Sequence, residues 1–227
     1  WKDGLIERNP AAQVDVLRLR QSEENERRPF RLDELKAVLA HASPEWRGMI
    51  LFGFYTDQRL GDIARLTWEH VDLPSATLRL VTGKTGKRIE LPIAKPLLAH
   101  LEGVPTTDDP RAPLFPAAHR VATGLRDRSA LSQEFHGILV SAGLARPRTK
   151  AEKDGKGTGR KRARILSPIT FHSLRHTATS LLKTAGVAEA VAREIIGHDS
   201  AAISRSYTHV DDASKREAVE KLPNVFG

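Results

Sequence analysis

The spacing of hydrophobic and polar residues changes character along the chain. Over 32–39, apolar residues stand at Leu32, Leu35, Val38 and Leu39, the three-and-four spacing of one helix face. The next run, WRGMILFGFYTD at 46–57, is apolar nearly all round and predicts a helix buried on every side. A shorter helix is expected over 60–66, with Leu60, Ile63, Ala64 and Leu66 on its apolar face. The period then drops to two. ATLRLV and RIELPI, separated by the glycine-punctuated TGKTGK, read as a hairpin; with VDL ahead of them, two or three short antiparallel strands are expected. Helical spacing returns over about 92–102 and 129–143, and again over 171–185, 188–197, 200–207 and 212–221. The predicted fold class is mainly α with a small antiparallel β-sheet (α+β).

Two stretches carry no period. Residues 1–28 are charged, contain the turn signal Asn9-Pro10 and end at Pro29, so they read as an exposed linker. Residues 146–164 hold nine basic and two acidic side chains, which supply seven of the eight net positive charges. With Gly155, Gly157 and Gly159 among them and almost nothing apolar before Ile165, they predict a flexible basic loop over about 146–167. The rest, 29–227, is long enough for one sizeable domain.

The balance of 36 Lys+Arg against 28 Asp+Glu makes a polyanion the natural partner, nucleic acid before membrane. The absence of cysteine excludes a disulfide framework, a thiolate nucleophile and Cys-ligated metal. No apolar run approaches the ~18–20 residues of a membrane span, and no signal-peptide pattern is present. The expected setting is the cytoplasm, on DNA.

The helix over 171–185 concentrates chemistry. Thr170 is expected as its N-cap and Gly186 as its stop, with Leu174, Ala178, Leu181 and Ala185 forming the buried stripe. His172, Arg175, His176 and Thr179 fall on the other side. His172 and Arg175 stand one turn apart and reach a common point, and the free N–H groups of the first turn add to an anion site there. A solvated basic face explains the same residues. A metal pair of His172 and His176 lacks the carboxylate that lies between the histidines of HExxH.

Further elements stand in a fixed order around this helix: Arg59 in RLGDIARLTW, Lys84 in GKTGK, HSLRHT at 172–177, GHDS at 197–200 and YTHV at 207–210. HxxR alone is weak. HxxR followed by Gly-His, with the histidine 23 residues after Arg175 and a tyrosine nine residues further on, is a specific pattern. In these elements the chain resembles the tyrosine recombinases, or phage-type integrases, over their catalytic domain.

The resemblance implies cutting and rejoining of double-stranded DNA through a covalent 3′-phosphotyrosyl link, with no cofactor and no metal. It implies that Arg59 and Arg175 grip the phosphate, that Tyr207 is the nucleophile, and that His172 moves its proton. Lys84 would protonate the leaving oxygen, with Lys87 and Arg88 close enough to be confused with it, and His198 would donate to the phosphate. Asp62 is expected to orient an Arg or a His. The chain has two tyrosines, and Tyr55 reads as core.

Arg146, Arg148, Lys150, Arg160, Lys161, Arg162 and Arg164 would lie along the DNA backbone. The expected assembly is a homotetramer on DNA and a monomer in isolation, with no membrane partner. The family's separate N-terminal DNA-binding domain is expected to precede 1–28. A silent DNA-binding descendant and a type IB topoisomerase-like enzyme stay open as alternatives. One departure is local: TDQR at 56–59 puts Asp57 and Gln58 where the family commonly has a glycine and an apolar residue.

Overall fold

The computed structural model describes residues 28–105, 107–124, 129–148, 167–188, 191–192, 195 and 212–225. Helix α1 (Leu32–His41) buries Leu35, Val38 and Leu39, while Leu32 stays 40% exposed at its first turn. Glu34 fastens its start: the carboxylate accepts from the Arg31 N–H at 2.9 Å and takes both Arg28 guanidinium nitrogens at 2.7 Å. Helix α2 (Pro44–Thr56) opens with Ser43 Oγ accepting from the Trp46 N–H at 3.3 Å and Pro44 in the first turn, where its missing N–H costs nothing. Every residue from Gly48 to Thr56 is buried, as the all-round apolar pattern requires.

Helix α3 (Leu60–Ile63) is one turn, shorter than the 60–66 expected. The chain tightens after it, with the Arg65 and Leu66 N–H groups donating to Asp62 and Ile63 carbonyls, before Thr67 pairs with Pro113 as an isolated bridge. Strands β1 (Val71–Asp72), β2 (Thr77–Val81) and β3 (Arg88–Pro92) form one antiparallel sheet in that order. Leu78 and Leu80 face the core opposite Leu91 and Ile89. Arg79 points outward between Asp72 and Glu90, at 3.1 and 3.2 Å.

Helices α4 (Lys95–Glu102) and α6 (Ser129–Ser141) stand where their apolar spacing places them. Between them lies α5 (Pro116–Thr123), which the sequence does not announce; the Glu45 carboxylate of α2 accepts from the Ala117 and Ala118 N–H groups and caps it.

Helix α7 (His172–Thr184) carries the HxxR motif and packs on α2. The Thr170 hydroxyl does not cap it: among the described residues Thr170 Oγ1 has no hydrogen-bond partner, and Phe171 precedes the first helical residue. The predicted stripe holds at Leu174 and Ala178, with Leu181 half-buried against the core, but the buried face is wider: Ser173, Arg175, Thr177 and Leu182 are also inside, and Ala185 is exposed. Phe171 sets the start of the helix. Its ring lies 5.2 Å from Phe135 of α6 and 6.4 Å from Trp46 of α2, both edge-on, which fixes the residue just before His172. The entering chain crosses the same helix, with the Arg28 N–H on Pro168 O and the Phe30 N–H on Thr177 Oγ1 at 2.8 Å.

A Cβ on Gly53 would come within 2.8–2.9 Å of the Phe171 ring and Leu174, so α2 and α7 meet there through a bare backbone. Gly53→Ala is expected to lose up to about 2 kcal/mol in urea unfolding, because overpacking of ~1–3 kcal/mol outweighs the ~1 kcal/mol that alanine gains in a helix. A raised midpoint would refute this reading of the contact.

Helix α8 (Asp212–Glu220) and the residues after it pack on their own chain. Ala218, Val219, Leu222 and Val225 are buried, and the Tyr55 hydroxyl donates to Pro223 O at 2.8 Å.

Candidate functional site

Arg59, His172 and Arg175 line one cavity of about 310 Å³, together with Arg148, Gln58 and Thr170. Each is placed by a different local rule. Arg59 is the residue before α3, in extended conformation, so its side chain leaves the short helix at its start. His172 is the first residue of α7 and is exposed, its ring edge-on to that of His176 at 4.9 Å. Arg175, one turn on, is only 7% exposed. Three cationic arginines and the N-terminal end of α7 converge on a partly apolar hollow floored by Phe135, Ile169 and Phe171. Such a site suits an anion with several oxygens, since guanidinium groups present planar sets of donors and helix N-termini add positive potential.

Asp57 holds Arg175 through two of its atoms. The Arg175 Nη1 donates to the Asp57 carbonyl at 3.2 Å, and its Nε lies 3.1 Å from Asp57 Oδ2, a charge contact not aligned as a hydrogen bond. Asp57 is the residue that ends α2, in the left-handed region at φ 58°, and is 1% exposed. Burial pushes its carboxyl well above the ordinary range, against the pull of Arg175 and Arg59. Burial likewise draws Arg175 below its ordinary value, and Asp57 opposes that. Asp57 is a residue of the site that the sequence did not single out as functional. Its signal was the TDQR departure.

The sequence expects Asp62 to orient an Arg or a His. Among the described residues its partner is instead the Gly83 N–H, which donates to Oδ1 at 2.9 Å. Asp62 is 8% exposed and stands one turn after Arg59, so it ties the start of the TGKTGK turn to α3. Gly86, at φ 67°, supplies the left-handed residue this turn requires. Lys84 sits exposed on that turn and does not line the cavity. Asp62→Ala is expected to free the turn: amide exchange at Gly83 and Lys84 should accelerate while α2 and α7 keep their protection. Unchanged exchange there would mean the carboxylate does not hold the hairpin.

Arg146 is exposed and does not line the cavity, whereas Arg148 does. Lys150, Arg160, Lys161, Arg162, Arg164, His198 and Tyr207 lie outside the described residues. Tyr55 is unsuited to act as a nucleophile: it is 1% exposed, its hydroxyl is engaged with Pro223, and burial pushes its pKa to about 12.

Among the described residues, a mainly helical core with a three-stranded sheet carries a cavity lined by arginines and a histidine. Residues 29–214 match the model of the phage integrase family, and the chain belongs to that family. It is 25% identical over 230 residues to a tyrosine recombinase XerC of Roseiflexus sp. (strain RS-1), covering 98% of this chain and 67% of the relative. In fold it is similar to the integrase from mycobacterium phage Brujita, with TM-score 0.63, 21% identity, and 98% of this chain against 66% of that one. It is similar also to a lambda integrase solved as a tetramer bound to a Holliday junction, with TM-score 0.54, 19% identity, and 92% of this chain against 56% of that one. The chain thus spans between about half and two-thirds of the length of these proteins.

Proposed function

We propose that the chain is the catalytic domain of a site-specific tyrosine recombinase that cleaves and rejoins double-stranded DNA through a covalent 3′-phosphotyrosyl intermediate. The observation that carries this reading is the shared cavity of Arg59, His172 and Arg175, three side chains from two segments over 110 residues apart in sequence, in a chain of the phage integrase family.

In the proposed step the Tyr207 oxygen attacks the phosphorus while Arg59 and Arg175 hold the two non-bridging oxygens, on which negative charge grows. The phenol, with an ordinary pKa of about 10, gives its proton to His172. The bond to the 5′ oxygen breaks, and that oxygen keeps the electron pair and takes a proton from Lys84. His198 donates a hydrogen bond to the phosphate. The phosphotyrosine retains the bond energy, so a 5′-hydroxyl reverses the attack without another energy source. Arg148 at the cavity and the basic stretch after it would lie along the DNA backbone. Residues 1–28 would connect to a DNA-binding domain. By likeness to the tetrameric lambda integrase assembly, four copies would act together on DNA.

The test is incubation with a pool of nicked duplexes randomised around the nick, followed by a denaturing gel. A protein–DNA adduct is the expected result; its absence across the pool would sink the enzyme reading. One observation favours a second reading, a silent DNA-binding descendant: the Asp57 carboxylate 3.1 Å from Arg175 offsets part of the charge offered to a phosphate. The same gel decides between them.

A further inference from the structure

Asp57 concentrates three unfavourable features in one residue. It occupies the left-handed region at φ 58° and ψ 18°, which favours glycine, although aspartate is among the residues that tolerate it. It is 1% exposed, so its carboxyl is stripped of water. Among the described residues neither carboxyl oxygen has an aligned hydrogen-bond donor. A glycine would form the same turn without any of these costs. Outliers of this kind are held in place by a local function more often than by accident.

Its surroundings say what that function is. The charged groups facing it are Arg175 from α7 and Arg59 from the start of α3, both of which line the cavity. Asp57 touches the Arg175 guanidinium twice, through its carbonyl on Nη1 and its carboxylate beside Nε. Two contacts from one residue fix both the position and the plane of the group. The far end of an arginine otherwise rotates about several bonds, and ordering it on encounter with a phosphate would weaken its action in the reaction.

Resting on the recombinase reading above, we propose that Asp57 is the positioning residue for Arg175: it grips the Nε side of the guanidinium so that the group is already aimed at the cavity before the phosphate arrives. It touches no reacting atom.

The test compares the whole protein with Asp57→Asn and Asp57→Gly. Asparagine tolerates the left-handed turn and keeps an acceptor oxygen; glycine keeps the turn and removes the acceptor. At saturating nicked duplex the rate of adduct formation is expected to fall about 10- to 100-fold in Asp57→Gly, to be largely restored in Asp57→Asn, and to change far more than DNA affinity. A turn-only role predicts that glycine is as active as aspartate, and that result overturns the proposal. A faster Asp57→Gly overturns it too, because it would make Asp57 a brake.

A second readout needs no cleavage. In nitrogen-15-labelled protein without DNA, the Arg175 Nε–H signal, assigned by its loss in Arg175→Lys, should be sharp in the wild type and Asp57→Asn and broadened in Asp57→Gly. An identical signal in Asp57→Gly refutes the proposal even if no variant forms an adduct, whereas a wild type without adduct refutes only the recombinase reading.

Discussion

Tyr207→Phe is expected to abolish the covalent protein–DNA adduct while leaving DNA binding intact. The argument is elimination followed by chemistry. A stable link from protein to a DNA 3′-phosphate needs a nucleophile, and with no cysteine the reading of the family leaves a tyrosine. There are two. Tyr55 lies within α2, is 1% exposed, and gives its hydroxyl to Pro223 O at 2.8 Å. Its pKa of about 12, raised by burial, makes loss of the phenol proton harder than usual. A phosphate would have to enter the core to reach it. Tyr55→Phe is the control: it should form the adduct normally and lose only the ~0.5–1.5 kcal/mol of one net hydrogen bond in unfolding. The denaturing gel reads the first outcome and urea titration the second. An adduct that persists in Tyr207→Phe would remove Tyr207 from the mechanism and return the question to a serine, threonine or histidine.

How much of this was legible in advance depended on whether the deciding interaction was local. Helix α2 was readable because a residue run that is apolar on every side leaves no alternative to burial, and Gly48 to Thr56 are all buried. The hairpin was readable because alternation in ATLRLV and the glycines of TGKTGK are properties of adjacent residues. Helix α5 was not, since the Glu45 cap at its start comes from some 70 residues away and its eight residues are mostly small.

The width of the buried face of α7 was missed for the same kind of reason. Counting from Leu174 at 100° per residue puts Arg175 on the open side. The side chain is nevertheless covered, because Asp57 at the end of α2 reaches across to it. The site shows both cases together. The spacing of His172 and Arg175, and the order of Arg59 before them, led to three side chains that do share one cavity. Asp62, expected to face an Arg or His, meets a backbone N–H of the hairpin instead, and nothing in RLGDIARLTW announces Gly83 as its neighbour.

Arg175→Ala and Arg175→Lys should both cost about 10²–10³ in the rate of adduct formation, the scale for losing one donor to a developing oxyanion. Lysine is not a conservative replacement here. The guanidinium contacts Asp57 through Nε and Nη1 while lining the cavity, and one ammonium cannot keep both relations.

Arg175→Ala should also change how stability depends on pH. Asp57 already holds its proton more tightly than the ordinary value of 3.8 allows, through burial, and Arg175 is the first of the two charges that oppose this. Removing the guanidinium raises the carboxyl further. A carboxyl whose folded pKa exceeds its unfolded one favours folding through its protonated form; that stability is complete below 3.8 and is lost as pH rises through the folded pKa. As pH rises above 3.8, urea midpoints of Arg175→Ala should therefore fall further than those of the wild type. The deficit at high pH is bounded by the ~3–5 kcal/mol of a broken buried ion pair. Adding Asp57→Asn should remove this slope, because the amide has no proton to lose. A slope that survives in the double variant would place its source at another group and refute the coupling of Asp57 to Arg175.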